Sequence, residues 1–172
     1  MKCPMCGEDH ELLDPVFRRP DHIAGFPFDR RKGNIMESDD VCAIRAQPST
    51  PYDRYFVRCT LSVRLLEHGT ADIQWGLWAE ISEKDALIIR ERWEDPNQGR
   101  QPPMAATLAN NVPGYPLTMG LRLRLQLTGP DTRPALVFED GQDHPFVAEC
   151  KRGVTVSRAK EWVARMVPHS PG

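Results

Sequence analysis

The chain has 172 residues, including 16 prolines and 12 glycines, which suits a single domain with many short elements and ordered loops. Its 22 basic residues nearly balance 24 acidic ones, and the formal net charge of −2 argues against a protein whose main task is to bind phosphate backbones. No stretch approaches the roughly 18 apolar residues of a membrane span, and the start lacks the apolar core of a secretory signal. We therefore expect a cytoplasmic protein that does not span a membrane.

The sharpest local motif is Cys3-Pro4-Met5-Cys6 at the start of the chain. Two thiolates at this spacing can bind one tetrahedral zinc ion, and His10 is placed to supply a third ligand. The fourth ligand would be water or a distant residue, the candidates being His22, Cys42, His144 and Cys150. An unmetallated knuckle and a redox dithiol are the alternatives. We take residues 1–13 as a candidate zinc knuckle.

The five cysteines form no disulfide pattern, since their number is odd and only one pair is closely spaced. Cys59 lies on the apolar side of a predicted strand, and Cys42 shares its side with Ile44. Both are interpreted as buried structural residues. Cys150 stands between Glu149 and Lys151, a context that also allows a surface thiol.

Residues 14–40 are rich in proline, arginine, aspartate and glycine, and they show little periodicity. We predict an ordered loop with one helical turn near residues 28–32. Its basic clusters, Arg18-Arg19 and Arg30-Arg31-Lys32, have acidic residues close by. This arrangement favours a solvated surface over an anion-binding patch.

The strongest pattern is a strict alternation of apolar and polar residues in 54–65, followed by a second alternation in 72–82. Period two indicates strands with one buried face, and the short connection between them predicts an antiparallel hairpin. Ser82 and Asp85 have the spacing of a helix N-cap, so a helix of about eleven residues should follow and end before Pro96.

The second half of the chain predicts another hairpin and a final helix. Alternating leucines in 121–127 form one strand, and residues 135–139 form its partner. Thr155 is placed to cap a helix that ends before Pro168. Because strands and helices do not alternate, we predict an α+β domain over residues 41–167 with a mainly antiparallel sheet and two or three helices. Residues 168–172 are interpreted as a tail.

Four further residues are candidates for a ligand or partner surface. Trp75 and Trp78 fall on opposite faces of a strand, so one of them, taken as Trp78, is expected to be accessible. Tyr115 lies in a Pro-Gly-Tyr-Pro turn beside this surface. Asp143 and His144 are adjacent in a predicted loop, where Asp143 could orient the imidazole of His144 or help to bind a metal, or could instead cap backbone amides.

Several short motifs occur in an order that resembles the bacterial family called domain of unknown function 2199. They are CPMCGEDHE, SDDVCAI, RYFVRCTLSV, WGLWAEIS, ERWEDP, NNVPGYPLTMGLRLRLQL, RPALVFE, DHPF and GVTVSRAKEWV. The resemblance covers about residues 1–167, except around 14–27 and 65–72. It implies a small single-domain cytoplasmic protein that shares Cys3, Cys6 and His10, but it implies no catalytic residues.

Three functions remain open. The first is a non-enzymatic module that binds an unknown protein partner, and it fits the absence of common catalytic motifs. The second is a small zinc-dependent enzyme with an open fourth zinc position and Asp143 or His144 as acid or base. The third, disfavoured by the charge balance, is a nucleic-acid-associated zinc protein in which four arginines converge beside the knuckle: Arg18, Arg19, Arg30 and Arg31.

Overall fold

Two long antiparallel strands form the centre of the sheet: β3 (Arg54–Arg64) and β4 (Asp72–Ile81). The computed structural model, which describes residues 14–69 and 71–166, pairs them from Tyr55 opposite Ile81 to Arg64 opposite Asp72. The inward side chains of the two strands are buried, as the alternation predicted. The predicted hairpin is therefore confirmed.

The remaining elements are short. They are α1 (Asp21–Ala24), β1 (Ile35–Glu37), β2 (Val41–Ile44), α2 (Glu83–Arg92), β5 (Met104–Leu108), β6 (Arg122–Gln126), β7 (Ala135–Phe138), α3 (Pro145–Arg152) and α4 (Val156–Met166), with single 3₁₀ turns at Phe28–Arg30 and Gln98–Arg100. The helical turn expected near residues 28–32 and the second hairpin, β6–β7, are both confirmed.

The sheet closes on itself. Strands β3 to β7 pair in sequence order, and β7 returns to β3 in a parallel bridge between Thr60 and Ala135. The Thr60 amide donates to the Pro134 carbonyl at 2.9 Å beside this bridge. The result is a five-stranded barrel, with β2 and β1 attached to the free first part of β3. The predicted antiparallel α+β sheet is confirmed, whereas the closure was not predicted.

The interior of the barrel is the main core, and α3 and α4 cover one end of it. Trp75 of β4 lies 5.2 Å from Trp162 of α4 and 5.6 Å from Phe146 of α3, measured between ring centroids. All three rings are fully buried. Because α4 and α3 supply these rings, the two C-terminal helices are fixed to the barrel by aromatic packing.

A smaller core lies on the outer face of β3 and β4. Phe56 and Trp78 pack there against Ile23 of α1 and Cys42 of β2. The region 14–40, predicted as a loop, therefore contains a helix, α1, that covers part of the outer face, and a strand, β1, that extends the edge of the sheet. Neither was predicted, because each is too short to show a periodic pattern.

The segment before α1 lies close to strand β4, and this close approach depends on a glycine in β4. The backbone of Gly76 exchanges hydrogen bonds with Pro15 and Phe17, each 2.9 Å long. A Cβ atom at position 76 would lie only 3.0 Å from a methyl carbon of Val16. The missing side chain thus lets this segment lie directly on β4.

The helix ends follow ordinary capping chemistry. Ser82 Oγ accepts the Asp85 amide at 3.1 Å, and Thr155 Oγ accepts the Arg158 amide at 3.2 Å, as predicted. Helix α3 was not predicted, and it begins at Pro145, directly after the predicted loop that holds Asp143 and His144. Proline is tolerated in the first turn of a helix, where its missing N–H needs no partner. The described residues contain four α-helices rather than two or three.

The proposed boundaries at residues 13, 40 and 167 remain predictions, and residues 1–13 and 167–172 lie outside the described part. Within that part, none of the helices combines the length and the apolar character needed to cross a membrane.

Candidate functional site

An apolar groove lies where the sheet continues past the barrel, between the β1–β2 hairpin and α2. Side chains of directly paired residues point to the same face of a sheet. Two such rows form the floor: Met36–Ala43–Tyr55–Ile81 and Val41–Val57–Ala79. Their inner ends belong to the barrel core, whereas Met36 is 62 % and Val41 44 % exposed at the outer ends. The floor of the groove is therefore continuous with the barrel core at its inner end and exposed to solvent at its outer end.

Helix α2 forms the wall of this groove. Ser82 caps the helix immediately after β4, and buried Ile89 holds it against the core. Leu87 and Trp93 line the groove, and Leu87 is 50 % exposed. The space between helix and hairpin is about 600 Å³. Exposed apolar side chains gathered around one concave surface are typical of a binding site.

The charges on the hairpin side of the groove are neutralised. Glu37 faces Arg19 at 3.4 Å and Arg31 at 4.0 Å, and Asp40 faces Arg133 at 3.4 Å. These pairs leave the hairpin side of the groove polar at its edge but nearly neutral in charge. A ligand would therefore contact this side mainly through apolar groups.

A polar cluster lies on the outer face beside the groove. Arg54 Nε and Nη2 donate to the two carboxylate oxygens of Glu80, both at 2.7 Å. Nη2 also lies 3.2 Å from His22 Nε2. A guanidinium can only donate, so Nε2 accepts and the ring proton is on Nδ1. Burial, and then the charge of Arg54, lower the pKa of His22, so the cluster favours a neutral imidazole.

A recess of about 350 Å³ opens next to this cluster. It is lined by Tyr52, Asp53, Arg54, Glu80, Ile81, Ser82 and Glu83. Ile81 and Glu83 also line the apolar groove, so the two spaces adjoin at the start of α2. Three of the lining side chains are acidic and one is basic.

Trp78 does not belong to any accessible surface. It is 0 % exposed, and its indole N–H donates to the Phe17 carbonyl at 3.1 Å. The prediction of an accessible ring at 78 is therefore wrong. The face opposite Trp75 is covered by the segment around α1, which the sequence did not show as an ordered layer.

Tyr115 is half-buried and joins the Pro-Gly-Tyr-Pro turn to α4. Its hydroxyl accepts from Trp162 Nε1 at 2.7 Å and from Arg158 at 3.1 Å. Arg158 also makes a two-pronged pair with Glu149 at 2.9 and 3.0 Å. These contacts give Tyr115 a structural role, and its partner-binding role stays a prediction.

Asp143 and His144 directly precede α3. His144 Nδ1 accepts the Phe146 amide at 3.1 Å as the N-cap, which leaves Nε2 to donate to the Pro116 carbonyl at 3.2 Å. Asp143 is exposed. Both ring nitrogens of His144 are thus engaged by backbone, and the helix cap is His144 rather than Asp143, for which backbone capping was predicted.

The predicted zinc ligands Cys3, Cys6 and His10 lie outside the described residues. Within residues 14–69 and 71–166, no three His, Cys, Asp or Glu side chains are grouped to hold a metal ion. Zinc therefore stays a prediction from spacing.

The other cysteines are buried to different degrees. Cys42 and Cys59 are buried as predicted, and burial raises the pKa of Cys42 to about 11. Cys150 is half-buried against the main core rather than displayed as a surface thiol, and burial raises its pKa as well. All three thiols are therefore protonated near neutral pH.

The basic clusters near residues 18–32 contact other residues of the same chain and do not form one patch of unpaired positive charge. Besides Glu37, Arg31 Nη2 contacts the Ile23 carbonyl at 2.7 Å, and Arg30 donates to Gln47 at 3.1 Å. Arg19 is the second partner of Glu37. These contacts agree with the predicted solvated surface, and binding of nucleic acid stays a prediction.

The groove itself was missed in the sequence. Met36 lies in a strand of three residues, and Leu87 stands beside the apolar stripe of α2. A signal existed in Leu87-Ile88-Ile89, where three consecutive apolar residues on one helix exceed what one buried stripe needs. The position of the β1–β2 hairpin opposite α2 depends on tertiary contacts, so no local sequence pattern predicts it.

Comparison with known proteins gives one match. The family model described as an uncharacterised protein conserved in bacteria (DUF2199) matches residues 2–154, which include the barrel and α3 but not α4. No curated protein and no solved structure matches the chain.

Proposed function

The chain belongs to the DUF2199 family of uncharacterised proteins conserved in bacteria, and we propose that it is a non-enzymatic module that binds a protein partner through the apolar groove. The observation that carries this proposal is the floor between the β1–β2 hairpin and α2, which no residue of the described ranges covers. Three large aliphatic side chains, Met36, Val41 and Leu87, stand half-exposed around it.

The chemistry of the groove favours binding over catalysis. The only thiol lining it, Cys42, has its pKa raised to about 11 by burial, and no histidine of the described chain lines it. General acid–base catalysis is most efficient when a group has a pKa near the working pH, and a thiol must be deprotonated before it acts as a nucleophile. The apolar side chains on the floor and on the α2 wall instead suit the apolar residues of a partner segment.

A random peptide library displayed on phage tests this proposal. We expect selected peptides to carry large aliphatic residues, and Leu87→Glu to abolish their binding. Val137→Glu is the matched control, because Val137 is 63 % exposed on β7 and does not line the groove. Peptides that bind Leu87→Glu and wild type equally would exclude the groove as the binding site.

A zinc knuckle is a second, independent part of the proposal. Its support is the spacing of Cys3, Cys6 and His10, which suits tetrahedral zinc. Such a site would be structural.

A further inference from the structure

We infer that the partner segment carries a lysine or arginine beside its aliphatic residues, and that this cation enters the acidic recess at the start of α2. The inference rests on the proposed function of the groove and specifies the chemistry of the partner. It is carried by the continuity of the two spaces and by the balance of charges in the recess.

The groove leads directly into the recess. Ile81, the last residue of β4, lies on the groove floor, and Glu83 is the first residue of α2. Both line the groove and the recess. A lysine or arginine can lay its aliphatic stem along an apolar side chain while its charged end stays in a polar space. The surface from Ile81 to Glu83 changes in the same way, from an apolar floor to an acidic recess.

The recess holds an excess of two negative charges. Its acidic residues are Asp53, Glu80 and Glu83, and its only basic residue is Arg54. Arg54 is committed to Glu80 by two hydrogen bonds of 2.7 Å. Asp53 accepts the Ala46 amide at 2.8 Å, which positions its carboxylate without neutralising it. Neither Asp53 nor Glu83 forms an ion pair with another residue in the described ranges.

The opposite end of the groove has the opposite charge. Arg90 lines the groove seven residues after Glu83, which is about 10 Å along the helix. It makes no ion pair within the part of the chain that the structure describes. A cation of the partner is therefore attracted to the recess and repelled from the far end, which gives the bound segment a direction.

Glu83 has a second role that the test must separate. It lies in the first turn of α2, where an acidic residue stabilises the helix dipole. A Glu83→Gln variant can therefore lose stability without any partner. Binding and thermal unfolding have to be measured on the same variants.

The experiment uses peptides from the phage library. We expect enrichment of lysine or arginine next to the aliphatic residues. One selected peptide is then synthesised with that residue as lysine or as glutamine, and calorimetry measures both against wild type and against the double variant Asp53→Asn/Glu83→Gln. Wild type should bind the lysine peptide about five- to tenfold more tightly, a preference that the double variant should lose. Asp131→Asn, a change of an exposed turn residue outside the recess, should keep it.

The outcomes separate the two proposals. Aliphatic peptides that need Leu87 but show no enrichment of basic residues would overturn the inference and leave the proposed function standing. An unchanged lysine preference in the double variant, with normal thermal unfolding, would also overturn it. Peptides whose binding ignores Leu87 would overturn the proposed function itself.

Discussion

Arg54 and Glu80 form a two-pronged ion pair between β3 and β4, on the outer face of the sheet. The same guanidinium lies 5.4 Å from the ring centroid of Phe56 and contacts His22 of α1. One arginine thus joins the short first helix to the barrel and forms one side of the acidic recess. The pair is structural, and it removes Arg54 from the charges available to a ligand.

Replacing Glu80 should therefore destabilise the fold. In Glu80→Ala, the mostly buried Arg54 loses both carboxylate partners, and we expect the free energy of unfolding to fall by about 2 kcal/mol. Urea denaturation measures this. Asp140→Ala, which removes the exposed pair with Lys151, is the control and should have a smaller effect. If both variants lower the free energy of unfolding equally, burial of the Arg54–Glu80 pair adds nothing to its contribution to stability.

Acidification should destabilise the protein through His22. Burial and Arg54 lower the pKa of this histidine below its usual 6.5, and Glu80 and Asp21 oppose the shift only partly. The folded state then prefers the neutral ring. This contribution to stability is complete above the ordinary pKa and is lost as the pH falls through it toward the folded value. We expect the melting temperature to fall between about pH 7 and pH 5.

The variant His22→Gln identifies the source of this dependence, since it should flatten the decrease. Salt-bridged carboxylates such as Glu149, whose pKa is lowered chiefly by Arg158, lose their contribution only in more acidic solution. A decrease that persists unchanged in His22→Gln would assign it to other groups.

Loss of the Tyr115 hydroxyl should cost more than its size suggests. In Tyr115→Phe, the buried indole N–H of Trp162 loses its acceptor, and Arg158 loses one of its contacts. An unsatisfied buried donor costs about 1–3 kcal/mol. Chemical denaturation measures the change, and Tyr52→Phe at an exposed tyrosine is the matched control. If both variants unfold at the same denaturant concentration, the Tyr115 hydroxyl contributes nothing to stability.

Elemental mass spectrometry of untagged protein tests the zinc prediction. We expect about one zinc per chain, lost in Cys3→Ser, because thiolate ligands at this spacing hold zinc tightly. Cys59→Ala, which changes a fully buried thiol of the barrel, should retain the metal. Metal-free wild-type protein would contradict the prediction.

The amino-acid pattern was sufficient to predict the local elements in which that pattern is strong. The alternation in β3, β4 and β6 fixed their buried faces, and Ser82 and Thr155 fixed the starts of two helices. These features depend on side-chain periodicity and on hydrogen bonds between residues three apart, so neighbouring residues are sufficient to define them. The motifs also placed the chain in its family.

Which faces are covered and which are open depends on the packing of elements that are distant in the chain. The parallel bridge from Thr60 to Ala135 closes the barrel, and the short α1 layer buries Trp78, which the sequence could not distinguish from an exposed ring. Conversely, Met36 and Leu87 are apolar residues that the fold leaves in solvent on two sides of one groove. Periodicity states which side chains share a face. Whether another element packs on that face depends on contacts between residues distant in the chain, and no local pattern records them.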